Sequence, residues 1–286
     1  MDTVFEKVVI LGYGKVTGEV LQYVCGRQQE YGYRLQFIEH EVHPFGITER
    51  ICEERGVPFD RITDKKELAD VLDNITERTL IISASNNFLF PARLVAKEHI
   101  TIINFHNALL PGYPGRNAPS WVIYAGERET GITWHYVTAG VDEGSIIIQK
   151  RCVIGEDRKA YELTECLMDL AADAFRECFD DVMAQRVEVR EQGFDPQRRM
   201  YRSWEVPGEG FFAMTEPVDD IYRLLRSVDY GKNDIFPPLR TQVDGREAVV
   251  LRYRKIAAEK RKDEEGFVYL PLNENELLKI KYRFTD

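Results

Sequence analysis

The stretch Asn104-Phe105-His106 closes a β-branched run, ITIINFH, and runs into a turn rich in Pro and Gly, ALLPGYPGRNAP. Asn104 and His106 are two residues apart, so in extended backbone their side chains leave one face and Phe105 leaves the other, into a packed layer. An amide donor and an imidazole therefore stand together at one sheet edge. Pro111, Gly112, Pro114 and Gly115 turn the chain sharply away, which keeps that edge open. A polar pair satisfied at a strand end has the same appearance, so the pair alone names no reaction. Farther on, Thr138-Ala139-Gly140-Val141-Asp142-Glu143-Gly144 forms a polar loop between two strand-like runs. Taken alone, Asp142 reads equally as a turn residue.

The elements that must carry these residues follow from hydrophobic periodicity. Up to residue 110, short β-branched runs at 8–11, 35–38, 80–82 and 101–104 alternate with helix-like stretches at 16–29, 47–55, 65–72 and 90–97. That alternation predicts βαβ units and a Rossmann-like, mostly parallel sheet with helices on both faces. Sheets of this kind bind ligands beyond the carboxyl ends of their strands. Runs at 131–137 and 145–153 add two strands. A helix over 160–183 follows, with Leu163, Leu167, Leu170, Ala174, Phe175 and Cys178 on one stripe. From 186 the composition shifts to Arg, Gln, Gly and Pro. We therefore divide the chain into a catalytic domain at 1–190, a linker at 191–215 and a small, mainly β domain at 216–286. The last contains a helix at 218–228, a hairpin turning at Asp244-Gly245 and a solvated turn at EKRKDEEG.

The chain has 286 residues, 38 Lys and Arg against 48 Asp and Glu, and a net charge of −10. Its field opposes a nucleic-acid partner unless a local basic patch overrides it. No apolar run reaches the roughly 18–20 residues that span a bilayer, and no signal-peptide pattern opens the chain, so a cytoplasmic location is expected. Cys25, Cys52, Cys152, Cys166 and Cys178 are dispersed, with no C-x-x-C pair. They read as packed thiols rather than a disulfide frame or a zinc site. No metal-binding spacing occurs. His135 reads as a packed strand histidine, with a place in the cleft as the alternative, and His40, His43 and His99 as surface or loop residues.

Near the start, KVVILGYGKVTG places Gly12, Gly14 and Gly18 after the first strand. A dinucleotide fingerprint has such glycines and an acid about 20 residues on, and Glu39 could supply the acid. The third glycine is one residue late, however, and tight packing alone also calls for glycine here. Both readings stay open on these residues.

Asn104, His106, Leu110-Pro111, Gly115 and Asp142-Glu143-Gly144, with the intervening GITWHYVTAGVDEGSIIIQ, resemble the pattern of the folate-dependent formyltransferase family, from about Val8 to Met183. One departure is Ala108, where many members have serine. The resemblance implies transfer of a formyl group from 10-formyltetrahydrofolate to an amine. It makes Asn104 the donor to a tetrahedral oxyanion, His106 its helper and proton carrier, and Asp142 the group that orients His106 and receives the amine's proton. A carboxylate beside an imidazole suits that assignment. The resemblance further implies that the pterin lies between the segment with Phe88, Leu89 and Phe90 and the segment with Thr138, Ala139, Gly140 and Val141. The opening glycines would then serve the scaffold.

The small C-terminal part is similar to that of tRNA and sugar formyltransferases and of peptide-synthetase formylation domains. HNALLPGYPGRNAPSWVIYAGERETGITWH is closer to the sugar and synthetase-associated members. The formyl-folate hydrolases carry a further N-terminal domain, for which the residues before Val8 leave no room. The expected acceptor is the primary amine of a nucleotide-linked amino sugar; Tyr113, Arg116 and Asn117 read equally as its contacts and as a plain turn. An amino acid, free or bound to a carrier protein, is the alternative, and methionyl-tRNA ranks below both. An oligomer is compatible with all of these. An NAD(P)-dependent oxidoreductase using Gly12, Gly14 and Glu39 and a non-catalytic folate-binding module are the readings from other classes.

Overall fold

A computed structural model describes residues 3–41, 46–193, 199–262 and 264–285. His43 lies outside the described residues. The chain divides into two compact units. The first comprises Met1–Gly115, Glu129–Val153 and Glu165–Met200, and the second Arg116–Arg128, Ile154–Thr164 and Tyr201–Asp286.

The first unit is built on seven strands: β1 (Lys7–Gly12), β2 (Arg34–Glu39), β3 (Phe59–Arg61), β4 (Thr79–Ala84), β5 (Ile100–His106), β6 (Glu129–Tyr136) and β7 (Ile146–Val153). Their order is β3-β2-β1-β4-β5-β6-β7. The first five run parallel, whereas β6 and β7 are antiparallel to their neighbours. Helices α1 (Gly14–Tyr31), α2 (Ile47–Arg55), α3 (Lys65–Asp73) and α4 (Ala92–Val95) connect the parallel strands. The α4 helix is shorter than the expected 90–97, because Pro91 holds extended backbone at its N-cap. The three-residue β3 and the helix α5 (Ala118–Tyr124) were not expected. Each is too short to show a period.

Alternation along the strands sends side chains to both faces. Val9, Leu11, Ile81 and Ile102 pack on one face with Leu68 and Leu72 of α3 and Leu94 of α4. On the other, Trp134 of β6 donates its indole N–H to the Ala171 carbonyl of α6 (Ala160–Met183) at 3.0 Å. Its ring lies 5.1 Å from Phe175, and Phe105 joins it at 5.7 Å. Cys52 and Cys178 are buried thiols, and burial pushes each up to about 12. Cys152 of β7 and Cys166 of α6 are half-buried, with Sγ atoms 3.4 Å apart. The strand and the helix bring them together although 14 residues separate them in the chain.

The second unit packs α7 (Val218–Ser227) with a separate antiparallel sheet of β8 (Arg240–Val243), β9 (Arg246–Ala257), β10 (Phe267–Pro271) and β11 (Glu276–Phe284), in the order β10-β11-β9-β8. Its core joins Phe212, Ile221, Leu224 and Leu225 to Leu278 and Ile280. Residues 116–128 and 154–164 also belong to this unit, besides everything from Tyr201 onward.

Candidate active site

Residues near the carboxyl ends of β4 and β5 and His135 of the antiparallel β6 form one hydrogen-bonded chain. Ser83 Oγ donates to Asn104 Oδ1 at 2.6 Å and itself accepts from Asn86 Nδ2 at 2.6 Å. This fixes which end of the Asn104 amide is oxygen. Asn104 Nδ2 then donates to His135 Nε2 at 3.2 Å. In the neutral ring this follows from His135 Nδ1, which faces the Tyr136 carbonyl at 2.8 Å and carries the proton there; in the charged ring Nε2 is itself a donor and turns to Asp142. Asn104 has a second N–H on the same nitrogen. Antiparallel pairing sets Asn104 directly opposite His135 and His106 opposite Thr133, so all four side chains share a face.

Asp142 is the centre of the cluster. Its Oδ1 lies 3.6 Å from His135 Nε2, and its Oδ2 lies 3.5 Å from His106 Nδ1. The Gly115 N–H donates to Oδ2 at 2.8 Å. Burial pushes the Asp142 carboxyl up, but the two imidazoles and the Gly115 N–H outweigh it and hold the group well below the usual carboxylate range. His106 stands between two acceptors: Nε2 is 2.8 Å from the Tyr113 carbonyl, and Nδ1 faces the carboxylate. Only a ring with both nitrogens protonated satisfies both sides. The arrangement can therefore hold a charged imidazole beside an amide donor.

Asp142 takes a left-handed backbone, φ 54°, which Asp tolerates better than most residues. Gly144 is required for a different reason. A Cβ there would lie 1.7 Å from the Tyr136 carbonyl oxygen. The loop is clamped from outside by Gln192, whose Nε2 donates to the Asp142 carbonyl at 2.9 Å and the Gly144 carbonyl at 2.7 Å. Thr133 anchors the exit from β5. Its hydroxyl donates to the Ala108 carbonyl at 2.7 Å and accepts the Leu110 N–H at 3.1 Å. The Leu110–Pro111 peptide is cis.

Asn104, His106 and Asp142 are thus brought together, and Tyr113 joins them through its backbone. Arg116 and Asn117 fall in the second unit. There the Arg116 N–H donates to Tyr201 and Asn117 caps α5. Phe88 is buried, its ring 5.3 Å from Phe90 and 5.5 Å from His40, while Leu89 is 73% exposed. Thr138 and Ala139 are exposed, and Gly140 and Val141 are half-buried. A cavity of about 300 Å³ opens among Val95, Ile100, Thr101, Ile102, Tyr136, Val137 and Gln185. Ile102 belongs to the same face of β5 as Asn104 and His106.

Three histidines take positions that add to the sequence expectations. His135 is packed, as expected, but it also links Asn104 to Asp142. His40 is buried, with Nδ1 2.7 Å from the Ile62 carbonyl, because the segment after β2 folds beneath Phe88. His99 is half-buried, its Nε2 2.9 Å from the Ile75 carbonyl. The position of His135 next to the last residue of its strand was a signal for it, and nothing local marked Gln192.

Residues 8–178 match the formyl transferase family. Methionyl-tRNA formyltransferase of Alkaliphilus oremlandii is 36% identical over 105 residues, which are 37% of this chain and 34% of that protein. The chain therefore matches about a third of that relative's length. In fold it is similar to the N-formyltransferase of Helicobacter canadensis, crystallised with folinic acid and dTDP-3-aminofucose, with TM-score 0.70, 13% identity and coverage of 97% of this chain and 99% of that one. It is also similar to a 4-N formyltransferase from Francisella tularensis, with TM-score 0.68, 15% identity and coverage of 85% and 95%. With the family match extending over more than half of its residues, the chain belongs to the formyl transferase family.

Proposed function

We propose that the protein moves a formyl group from 10-formyltetrahydrofolate to a primary amine, and that the amine belongs to a nucleotide-linked amino sugar. The observation that carries the reaction is the convergence of Asn104, His106 and Asp142 on one sheet edge, with His135 between amide and carboxylate.

A neutral amine attacks the formyl carbon, and the carbonyl oxygen gains charge as the tetrahedral intermediate forms. The second N–H of Asn104 is the donor for that oxyanion, and a charged His106, its own N–H groups turned to the Tyr113 carbonyl and Asp142, stabilises it by its positive charge. Collapse breaks the bond from the formyl carbon to the folate nitrogen, which takes a proton as it leaves. The attacking nitrogen must lose one. Asp142, held low, is a weak base. Its part is to keep the imidazole charged and to pass the amine's proton onward through water rather than store it.

The folate fits the residues present. Val95, Ile102 and Val137 give apolar wall to a flat ring, and beyond Val137 the chain enters segment 138–141, whose backbone can read the ring's polar edge. Leu89, exposed beside buried Phe88, offers an apolar side chain to such a ligand. The oxidoreductase reading loses its acid. Glu39 is fully buried, ion-paired to Arg61 at 2.7 Å and within 3.4 Å of the Thr48 hydroxyl. A buried, paired carboxylate does not reach a ribose.

The sugar acceptor is supported by fold neighbours that align over nearly their whole length, one of them crystallised with dTDP-3-aminofucose. The sequence match to a methionyl-tRNA formyltransferase favours a second acceptor. The test is incubation with 10-formyltetrahydrofolate and, separately, a nucleotide-linked amino sugar, a free amino acid and methionyl-tRNA, reading release of tetrahydrofolate. Release with the amino sugar is expected. Release with methionyl-tRNA alone overturns the acceptor, and release with no amine overturns the reaction.

A further inference from the structure

The antiparallel sheet of the second unit has two unlike faces. Leu278 and Ile280 of β11 and Val250 and Tyr253 of β9 belong to its core. Alternation sends Lys279, Lys281 and Arg283 to the opposite face. Pairing puts Arg252 opposite Lys281, Arg254 opposite Lys279 and Val249 opposite Arg283, and Arg240 of β8 lies beside Val249. Six cations therefore share one face of three neighbouring strands. In a chain of net charge −10, residues 240–286 hold 11 Lys and Arg against 9 Asp and Glu, and this face gathers the cations.

Lys279 is internally satisfied by Glu264 at 2.7 Å. Arg240, Arg252, Arg254 and Arg283 are exposed and Lys281 is half-exposed, and none of the five is ion-paired among the described residues. One carboxylate, Glu247, sits at the far end of the face, opposite Gln242. At the bulge between Val250 and Arg252, Leu251 is 49% exposed, an apolar contact beside the charges. The patch measures about 13 Å along the strands and about 10 Å across them.

We propose that this face docks an acidic α-helix of a partner protein. Its breadth matches a helix, whose diameter with side chains is about 10–12 Å. Arg-rich surface with a neighbouring apolar side chain is the composition of protein interfaces. Single-stranded nucleic acid needs free aromatic platforms for its bases. The two rings on this face, Phe267 and Tyr269, are half-buried and already capped by cations. Lys279 lies 4.0 Å from the Phe267 centroid and 5.3 Å from that of Tyr269, and Arg261 lies 5.7 Å from Tyr269. The acidity of the rest of the chain also opposes a long polyanion.

The experiment measures binding of the full chain to a helical peptide of about 20 residues with Glu at every fourth position among Ala and Gln. The same peptide with Gln for Glu and a single-stranded oligouridylate serve as comparisons. The Glu peptide is expected to bind with salt-sensitive affinity and to weaken about tenfold or more in the triple variant Arg252→Glu, Arg254→Glu, Lys281→Glu. The triple Gln variant at the same positions carries the test if charge reversal lowers the melting temperature. No binding of the Glu peptide, equal binding by the variant, equal binding of the Gln peptide, or tighter binding of the oligouridylate each overturns the proposal.

Discussion

At the end of β1, a Cβ on Gly12 would sit 1.9 Å from the Ala84 carbonyl oxygen, and the hydroxyl of Thr17 also reaches that oxygen. The neighbouring acid, Glu39, is sealed by Arg61. At the end of β5, Asn104 and His106 instead sit in a chain of polar partners running from Asn86 to Tyr113. Both are carboxyl ends of parallel strands in one mixed sheet, where ligands are expected. One is closed by backbone packed on backbone, and the other ends in paired polar side chains. The glycine-rich turn therefore indicates close packing here, whereas the polar residues of alternate positions indicate chemistry.

Mutation should separate the two ends. The largest effect expected is from Asp142→Asn, which removes the charge between two imidazoles. Turnover should fall by about 10²–10⁴-fold in steady-state assays. The same variant should lose about 2 kcal/mol of stability at pH 7. A carboxyl held low stabilises the fold above its unfolded value, near pH 4, and loses that contribution as the pH falls toward its folded value. The gap in melting temperature between wild type and variant should therefore be full at pH 7 and shrink below about pH 4. Gly12→Ala should do the converse, destabilising by about 2–3 kcal/mol in denaturant titration while turnover per folded molecule is unchanged. A loss of turnover there would mean that the β1 turn takes part in the reaction. The smallest effect is expected from Gln192→Leu. It should lower kcat about tenfold and also raise KM for the folate, because it loosens the loop that carries Asp142 and runs on from segment 138–141.

Much of the frame was legible. The α6 helix has the expected bounds because its apolar stripe spans several turns, and the parallel strands follow from short β-branched runs. Asn104, His106 and Asp142 were legible because their spacing carries a family pattern. The bridging position of His135 was not legible because it depends on the register of β5 against β6, and pairing register is not written in either strand alone. Gln192 sat in the composition shift read as a linker, yet it belongs to the first unit and reaches back 50 residues to the loop of Asp142. The thiols of Cys152 and Cys166 were likewise dispersed in sequence and adjacent in space. In each case a contact between elements, rather than a local period, decided the outcome.

The account rests most directly on the amide of Asn104. Single-turnover formyl transfer by Asn104→Ala, measured beside folate binding and thermal melting, isolates it. The account predicts a rate at least about a hundredfold lower with folate affinity and melting preserved. A rate near that of the wild type would contradict it.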